Sequence, residues 1–317
     1  MCNKLKNLRD FDSLYELVLY FDSEQKCEDH LAKVRWNGKT VCPHCSNSDR
    51  IGALKGKCKR YKCYGCRKKF SVKVGTIFHN SKLPLVKWYI AIFMFTSHKR
   101  GVSSHQLARD LKITQKSAWH MLHRIREIFD IEKPSFENLV EIDEIYVGGK
   151  EKNKHKNKKT KNAQGRSTKS KTPVLGILER NGKVYAIPVK NTQSATIKPI
   201  IESVVEKGNK VYTDEWTAYN SLNKEYEREI VCHSAGEYVK GEAHTNNIEN
   251  FWSHFKRTIS GTYFHMSDQH LGSYVNESAF RYNSRELSEG SRFDVTLANA
   301  QKRLTWNELI ARKKERA

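Results

Sequence analysis

Seven residues in this chain have types and spacings suited to holding metal ions: Cys42, Cys45, Cys63 and Cys66, and Asp143, Asp214 and Glu249. The cysteines form two C-x-x-C knuckles, Cys42-Pro43-His44-Cys45 and Cys63-Tyr64-Gly65-Cys66, separated by 17 residues. In each knuckle the two-residue spacer lets both sulfurs turn toward one ion, and four thiolates suit tetrahedral Zn²⁺. Short strand-like segments at residues 50–54, 60–62 and 70–74 complete the outline of a zinc ribbon, a unit too small to hold together without its metal. Cys58 lies outside both knuckles and reads as a spare thiol.

The three acids are distant in sequence, so only a fold can gather them. Asp143 lies in the alternating stretch Leu139-Val140-Glu141-Ile142-Asp143-Glu144-Ile145-Tyr146-Val147, which Gly148-Gly149 closes. That pattern predicts a strand. Residues 173–179 predict a second strand, Asn181-Gly182 a hairpin turn, and residues 184–189 its partner. Residues 195–205 read as a helix, Lys210-Val211-Tyr212-Thr213 as a strand ending at Asp214, and Ile230-Val231 as part of another strand. A helix from Thr245 carries Asn246, Glu249 and Lys256. Three antiparallel strands, a helix, a parallel strand and further helices follow the order of a ribonuclease-H-like fold. The expected class is α/β, a mixed sheet with flanking helices.

Carboxylates gathered in one place repel one another and need cations. Two Mg²⁺ (or Mn²⁺) ions about 3.5–4 Å apart would satisfy them and support in-line displacement at phosphorus. Positions 246, 249, 253 and 256 share one helix face, so Asn246, Glu249 and Lys256 are expected in one site. Lys256 is placed to hold a phosphate, or the base beside the scissile bond. Ile248, Trp252 and Phe255 read as core.

Charge names the partner. The chain has 317 residues, with 57 Lys and Arg against 35 Asp and Glu, and a formal net charge of +22. Residues 31–130 carry +18 and residues 150–172 carry +9, while everything else is slightly acidic. A phosphate backbone is the natural counterpart of such a surface, and the DNA-binding outlines that follow make double-stranded DNA the expected partner. Lys59, Arg60, Lys62, Arg67, Lys68 and Lys69 of the ribbon read as phosphate contacts. Residues 84–96 predict an apolar helix, and Ser103-Ser104-His105-Gln106 looks like a capping box opening the next. A short turn at Lys112-Ile113 leads to Thr114, the expected N-cap of a third helix. This is a helix-turn-helix outline, with Gln115, Lys116, Ser117 and Arg124 as candidate DNA contacts. His120 and His123 are expected at the surface or facing DNA, and Arg257 is a further candidate contact. The expected organisation is a helical segment over 1–30, the zinc ribbon over 31–80 and a helix-turn-helix domain over 81–133. The catalytic domain follows over 134–290, including a Lys-rich loop at 150–172, and a C-terminal basic helix over 291–317.

These motifs resemble bacterial insertion-sequence transposases of the DDE class, in the group that joins a zinc ribbon to a ribonuclease-H-like (ISXO2-like) catalytic domain. The resemblance covers about residues 25–290. It rests on Glu141 to Lys150, on Thr213-Asp214-Glu215-Trp216-Thr217-Ala218-Tyr219 and on His244 to Ser253 running into Phe255-Lys256-Arg257. Gly261-Thr262-Tyr263-Phe264-His265 and Phe280 to Arg285 also match. The resemblance implies Asp143 and Asp214 as metal ligands. At the third position it points to Asn246, whereas the carboxylate argument prefers Glu249, because a charged oxygen binds Mg²⁺ better than an amide does. It implies hydrolytic nicking at element ends, then transfer of the freed 3′-hydroxyl into target DNA, with no covalent enzyme intermediate. It further implies terminal-repeat recognition by the ribbon and helix-turn-helix, target tracking by the Lys-rich loop, and a homo-oligomer of at least two protomers when ends are paired.

Two other functions fit parts of the pattern. A zinc-ribbon DNA-binding regulator would share the basic front but needs no acidic triple. A nuclease of the same catalytic fold would cut without joining. No apolar run approaches the roughly 18–20 residues that span a bilayer, and the start, Met1-Cys2-Asn3-Lys4-Leu5, leads into no apolar signal region. A cytoplasmic, nucleoid-associated protein with no membrane partner is expected.

Overall fold

The structure, a computed structural model, describes residues 11–56, 59–129, 133–149, 153–160, 167–232 and 243–311. Cys2, Lys57, Cys58, parts of the Lys-rich stretch and the last six residues lie outside the described residues. The chain divides into two compact units. One takes the described residues up to Phe129 together with Ser284–Ala311, and the other continues to Asn283.

The first unit opens with α1 (Leu14–Tyr20) and α2 (Glu24–Trp36), whose N-caps Ser13 and Ser23 accept from the amides three residues on. The ribbon follows as an antiparallel sheet of β1 (Ile51–Leu54), β2 (Arg60–Cys63) and β3 (Lys69–Phe70). Trp36, Tyr61 and Phe70 pack ring against ring where α2 meets this sheet. Helix α3 (Leu85–Ser97) is apolar almost all round, with nine buried side chains, so it sits at the centre of the unit. Its first turn has no side-chain cap of its own, and Glu24 of α2 accepts from Leu85 N at 2.6 Å instead. Then come α4 (Ser104–Leu111) and α5 (Gln115–Arg126).

The second unit is built on β4 (Val140–Val147), β5 (Thr172–Glu179), β6 (Val184–Pro188), α6 (Ser194–Glu202), β7 (Lys210–Asp214), β8 (Glu227–Val231), α7 (Asn246–Thr258) and α8 (Leu271–Asn283). The sheet order is β6-β5-β4-β7-β8. Strands β4, β5 and β6 are antiparallel neighbours, while β7 and β8 run parallel to β4. This is the ribonuclease-H-like arrangement that the element order predicts. One sheet face packs Val140, Ile142 and Val211 against Ile197 and Ile201 of α6. The other packs Ile145 and Val174 against Ile248, Trp252 and Phe255 of α7 and Val275 of α8.

The chain then returns to the first unit as α9 (Glu289–Ala298) and α10 (Trp306–Ala311). Residues 291–317 are therefore not one basic helix: through residue 311 they form two helices, separated at residues 299–305. Phe293 and Leu297 of α9 are buried, with the Phe293 ring against Tyr89 and Phe93 of α3, which is core packing rather than a solvated basic face. The boundaries expected at 30, 80 and 133 also differ from this packing, since α2 runs through position 30 and ribbon and helices share one unit. Among the described residues no helix is long and apolar enough to cross a membrane.

One glycine fixes how closely α7 approaches the sheet. Gly176 of β5 lies opposite Asp143, and a Cβ there would overlap the Trp252 ring and meet Ile248 Cδ1 at 3.0 Å. Gly176→Ala should therefore destabilise the protein by about 1–3 kcal/mol, read as a lowered urea midpoint. An unchanged midpoint would contradict this packing.

Candidate active site

Strands β4 and β7 pair in parallel, with Val140 beside Val211 and Glu141 beside Tyr212. The same register carried two residues further sets Asp143 alongside Asp214. The two-residue period of a strand then puts both on one sheet face. It is the face that α7 covers, because Ile145, also two residues along β4, packs with Ile248 and Trp252. Both acids are half-buried. Glu249, in the first turn of α7, is exposed, and its Oε1 accepts from Thr245 Oγ1 at 3.0 Å.

The acids act on one another. Burial pushes the Asp143 carboxyl up to about 7, and the negative charges of Glu144, Asp214 and Glu249 push the same way. A divalent cation would relieve that crowding. The three carboxylates are set more widely than a single-ion cage: among the described residues only the four cysteines form a candidate ligand group with all atoms within 4.8 Å. A pair of ions spans a wider set of oxygens than one ion does.

Glu141, on the same strand face as Asp143, does a different job. It is fully buried. Its Oε2 accepts from Asn247 N at 2.9 Å and Ile248 N at 3.1 Å, and its Oε1 from Asn247 Nδ2 at 2.7 Å. Arg180 Nε donates to Oε1 at 2.8 Å, while Arg180 Nη2 reaches His244 O at 3.1 Å. A carboxylate from β4 thus caps the N-terminus of α7, where the helix dipole favours it, and Arg180 balances its charge. This joint fixes the first turn of α7 on β4, so that the charge of Glu249 is felt at Asp143. The sequence reading missed Glu141 and Arg180; the signal available was an acid at an inward position of a strand, two residues before Asp143.

Two more polar groups brace the site. Tyr219 OH donates to Glu144 Oε2 at 2.7 Å on the opposite face, and burial holds the phenol well above its usual pKa. Arg228 of β8 donates to Thr213 Oγ1 at 2.9 Å and to Asp214 O at 3.1 Å, fixing the end of β7. Asn246, Glu249 and Lys256 are all exposed and Ser253 is half-buried, as one outward strip of α7 requires. Ile248, Trp252 and Phe255 are core.

In the ribbon, Cys42 Sγ lies 3.7 Å from Cys66 Sγ and Cys45 Sγ 3.6 Å from Cys63 Sγ. A disulfide would need about 2.05 Å, whereas sulfurs about 2.3 Å from a tetrahedral ion sit about 3.8 Å apart. The donor set therefore fits Zn²⁺. Backbone hydrogen bonds from Cys66 and Gly65 help to bring the Cys63 thiol down to about 7. At Cys45 a backbone hydrogen bond from Asn47 is outweighed by burial and the neighbouring thiols, which push it up to about 12, so the four sulfurs share protons that a cation would displace.

Helices α4 and α5 form the expected helix-turn-helix. Ser103 caps α4 and Thr114 caps α5. The turn lacks glycine because Lys112 itself adopts the left-handed conformation, φ 52° and ψ 55°. Gln115 and Lys116 are exposed, and Ser117 is half-buried against the Thr114 hydroxyl. Arg124 departs from expectation. It is buried, donates to His79 O at 2.6 Å and lies over the Trp88 ring, so it is a core residue rather than a DNA contact. His123 is likewise buried, against Trp119. Trp306 of α10 packs on Trp119 and His120, with Lys116 Nζ 4.5 Å from its ring centre. In the ribbon Arg60, Arg67, Lys68 and Lys69 are exposed, Lys62 lies over the Tyr64 ring, and Lys59 pairs with Asp29 of α2. Arg257 is exposed beside Lys256.

A mixed sheet of this order, with Asp143 within one central strand alongside Asp214 at the end of its parallel neighbour, defines a ribonuclease-H-like protein. Residues 136–283 match the ISXO2-like transposase domain and residues 22–69 the transposase zinc-ribbon domain. An uncharacterized protein of the transposable element ISH50 from Halobacterium salinarum is 30% identical over 251 residues, covering 76% of this chain and 84% of that one. An uncharacterized transposase-like protein from Haemophilus influenzae is 34% identical over 106 residues, covering 33% of this chain and 85% of that one. The chain belongs to the ISXO2-like transposase family, and it is a transposase. A strand transfer complex of Mos1 is a looser structural neighbour, at 10% identity and a TM-score of 0.19 over 59% of this chain and 73% of that one.

Two outcomes test this geometry. Glu141→Ala leaves Arg180 and the α7 amides without their carboxylate, and should cost about 3–5 kcal/mol in chemical denaturation. A loss below 1 kcal/mol on that scale would refute the joint. Stripping the ribbon with a strong chelator should lower bound zinc and the near-ultraviolet circular dichroism of its aromatic cluster together. A spectrum unchanged at negligible zinc content would refute a metal-held ribbon.

Proposed function

We propose that the chain cuts DNA at the ends of its insertion sequence and joins the freed 3′ ends to target DNA, using Asp143, Asp214 and Glu249. The observation that carries this is the parallel register that aligns Asp143 with Asp214 under α7, together with the like-charge crowding that Glu249 adds at Asp143. Two Mg²⁺ (or Mn²⁺) ions held by these carboxylates would supply the Lewis acidity for in-line displacement at phosphorus. Glu249 is preferred to Asn246 as the third ligand. It brings charge, and the Thr245 hydroxyl holds its carboxylate.

The remaining roles belong to side chains on the page. Lys256 is seven residues beyond Glu249, about 10 Å along the helix axis, where an exposed ammonium can hold a neighbouring phosphate. Arg257 adds a second cation there. Tyr219 and Tyr146 are engaged with Glu144 and Thr192, so neither hydroxyl is poised as a nucleophile, consistent with direct attack by water or a 3′-hydroxyl. Arg60, Arg67, Lys68 and Lys69 of the ribbon and Gln115, Lys116 and Ser117 of α5 would grip the element ends. Ribbon and helix-turn-helix in one unit and the acids in the other would serve that split of labour. Paired ends call for at least two protomers, working on nucleoid DNA.

Asp143→Asn and Asp214→Asn should each lower Mg²⁺-dependent cutting of end DNA by at least about 1,000-fold, the equivalent of several kcal/mol of lost transition-state stabilisation, with DNA affinity unchanged. Cutting that survives both changes would move the chemistry elsewhere. Pre-cut ends offered with target DNA should yield joined product. Cutting without joining would make the protein a nuclease.

A further inference from the structure

We propose that Phe264 is a base-stacking wedge, an aromatic ring held out from the second unit to enter the base stack of the DNA end a few base pairs from the cut. The proposal deepens the function above and rests on it.

The loop after α7 is built to present this one ring. The helix runs into a π turn, Ile259–Tyr263, closed by Phe264 N donating to Ile259 O. Such turns are rare, and they frequently mark functional sites. Tyr263 points inward: its hydroxyl donates to Glu277 of α8, Arg281 pairs with the same buried carboxylate, and the Tyr263 and Tyr274 rings meet at 4.8 Å. Met266 is buried in the same core. With residues 263 and 266 anchored, the two between them are forced outward. Phe264 is 78% exposed, more than any other large apolar side chain among the described residues.

The backbone makes the choice of residue costly. Phe264 has φ 56° and ψ −46°, a γ-turn geometry with His265 N donating to Tyr263 O. That geometry is strained for any L-residue and worst for a bulky one. A loop that only had to turn would be served by glycine. Strain at a fully presented aromatic points to a role in binding.

The surroundings choose the partner. Residues 254–265 contain Lys256, Arg257, His254 and His265 and no acid, and all four of those side chains are exposed. An exposed apolar ring on a segment that carries two exposed cations, two histidines and no acid suits a polyanion that has stacked π faces, which is DNA. The nine helical steps from Glu249 to Thr258 span about 13–14 Å. At about 3.4 Å per base pair, the end of α7 from which the ring-bearing turn starts lies roughly four base pairs from Glu249.

The test uses a duplex carrying the DNA that borders the coding region, with 2-aminopurine placed at one position at a time near its end. Full-length wild type should raise the fluorescence at one or two adjacent positions, as their stacking is broken. Phe264→Ala should abolish that rise and slow cutting by about 5- to 100-fold, with melting temperature unchanged, and Phe264→Trp should restore both. A duplex mismatched at the same positions should return Phe264→Ala to wild-type cutting, since its bases are already unstacked. Unchanged fluorescence and cutting in Phe264→Ala would overturn the wedge while leaving the transposase reading intact. A wild-type chain that cuts no end DNA would overturn that reading and the wedge with it.

Discussion

Like charges held close on one face of β4 and β7 are the constraint around which the second unit is arranged. Glu141 and Asp143 are two residues apart and share that face, yet they meet opposite fates. Glu141 is fully buried and saturated, by two amides and a side-chain amide of α7 and by Arg180. Asp143 is half-exposed, faces Asp214 and Glu249, and is driven toward its neutral form. One acid fastens the helix, and the other is left open for the proposed chemistry. The fastening and the packing of Ile248 and Trp252 on the sheet together hold a carboxylate on α7 near a carboxylate on β4, as the proposed chemistry requires.

Packing supports the same end. Trp252 lies over Gly176, the residue opposite Asp143, so the absence of one side chain on β5 sets the height of α7 above the sheet. Arg228 and Tyr219 act from the other strands and the other face, tying down the end of β7 and the neighbour of Asp143. The acids therefore sit on rigid elements, as a site that handles phosphates requires.

Much of this was legible in the residues. The alternation of β4, the apolar run of α3, the caps at Ser103 and Thr114 and the paired knuckles each obey a local rule, and each stands where the rule puts it. What escaped the sequence reading depends on distant partners. Arg124 looks like one more cation on a polar helix, and only the Trp88 ring and the His79 carbonyl, far away in the chain, make it a core residue. The C-terminal residues look basic and solvated, but Phe293 supplies an apolar contact that α3 needs. Glu141 could not be told from a solvated strand acid until α7 was seen to end on it. The ribbon cations are a mixed case: Arg60, Arg67, Lys68 and Lys69 stand exposed, while Lys59 is paired with Asp29.

The central claim is that Asp143 and Asp214 share a pair of divalent ions. Electron paramagnetic resonance of Mn²⁺ bound to the full chain with an uncut end duplex tests it most directly. The account predicts the spectrum of two coupled ions about 4 Å apart, lost in both Asp143→Asn and Asp214→Asn. A single uncoupled ion, or a coupled pair that survives either substitution, would contradict it.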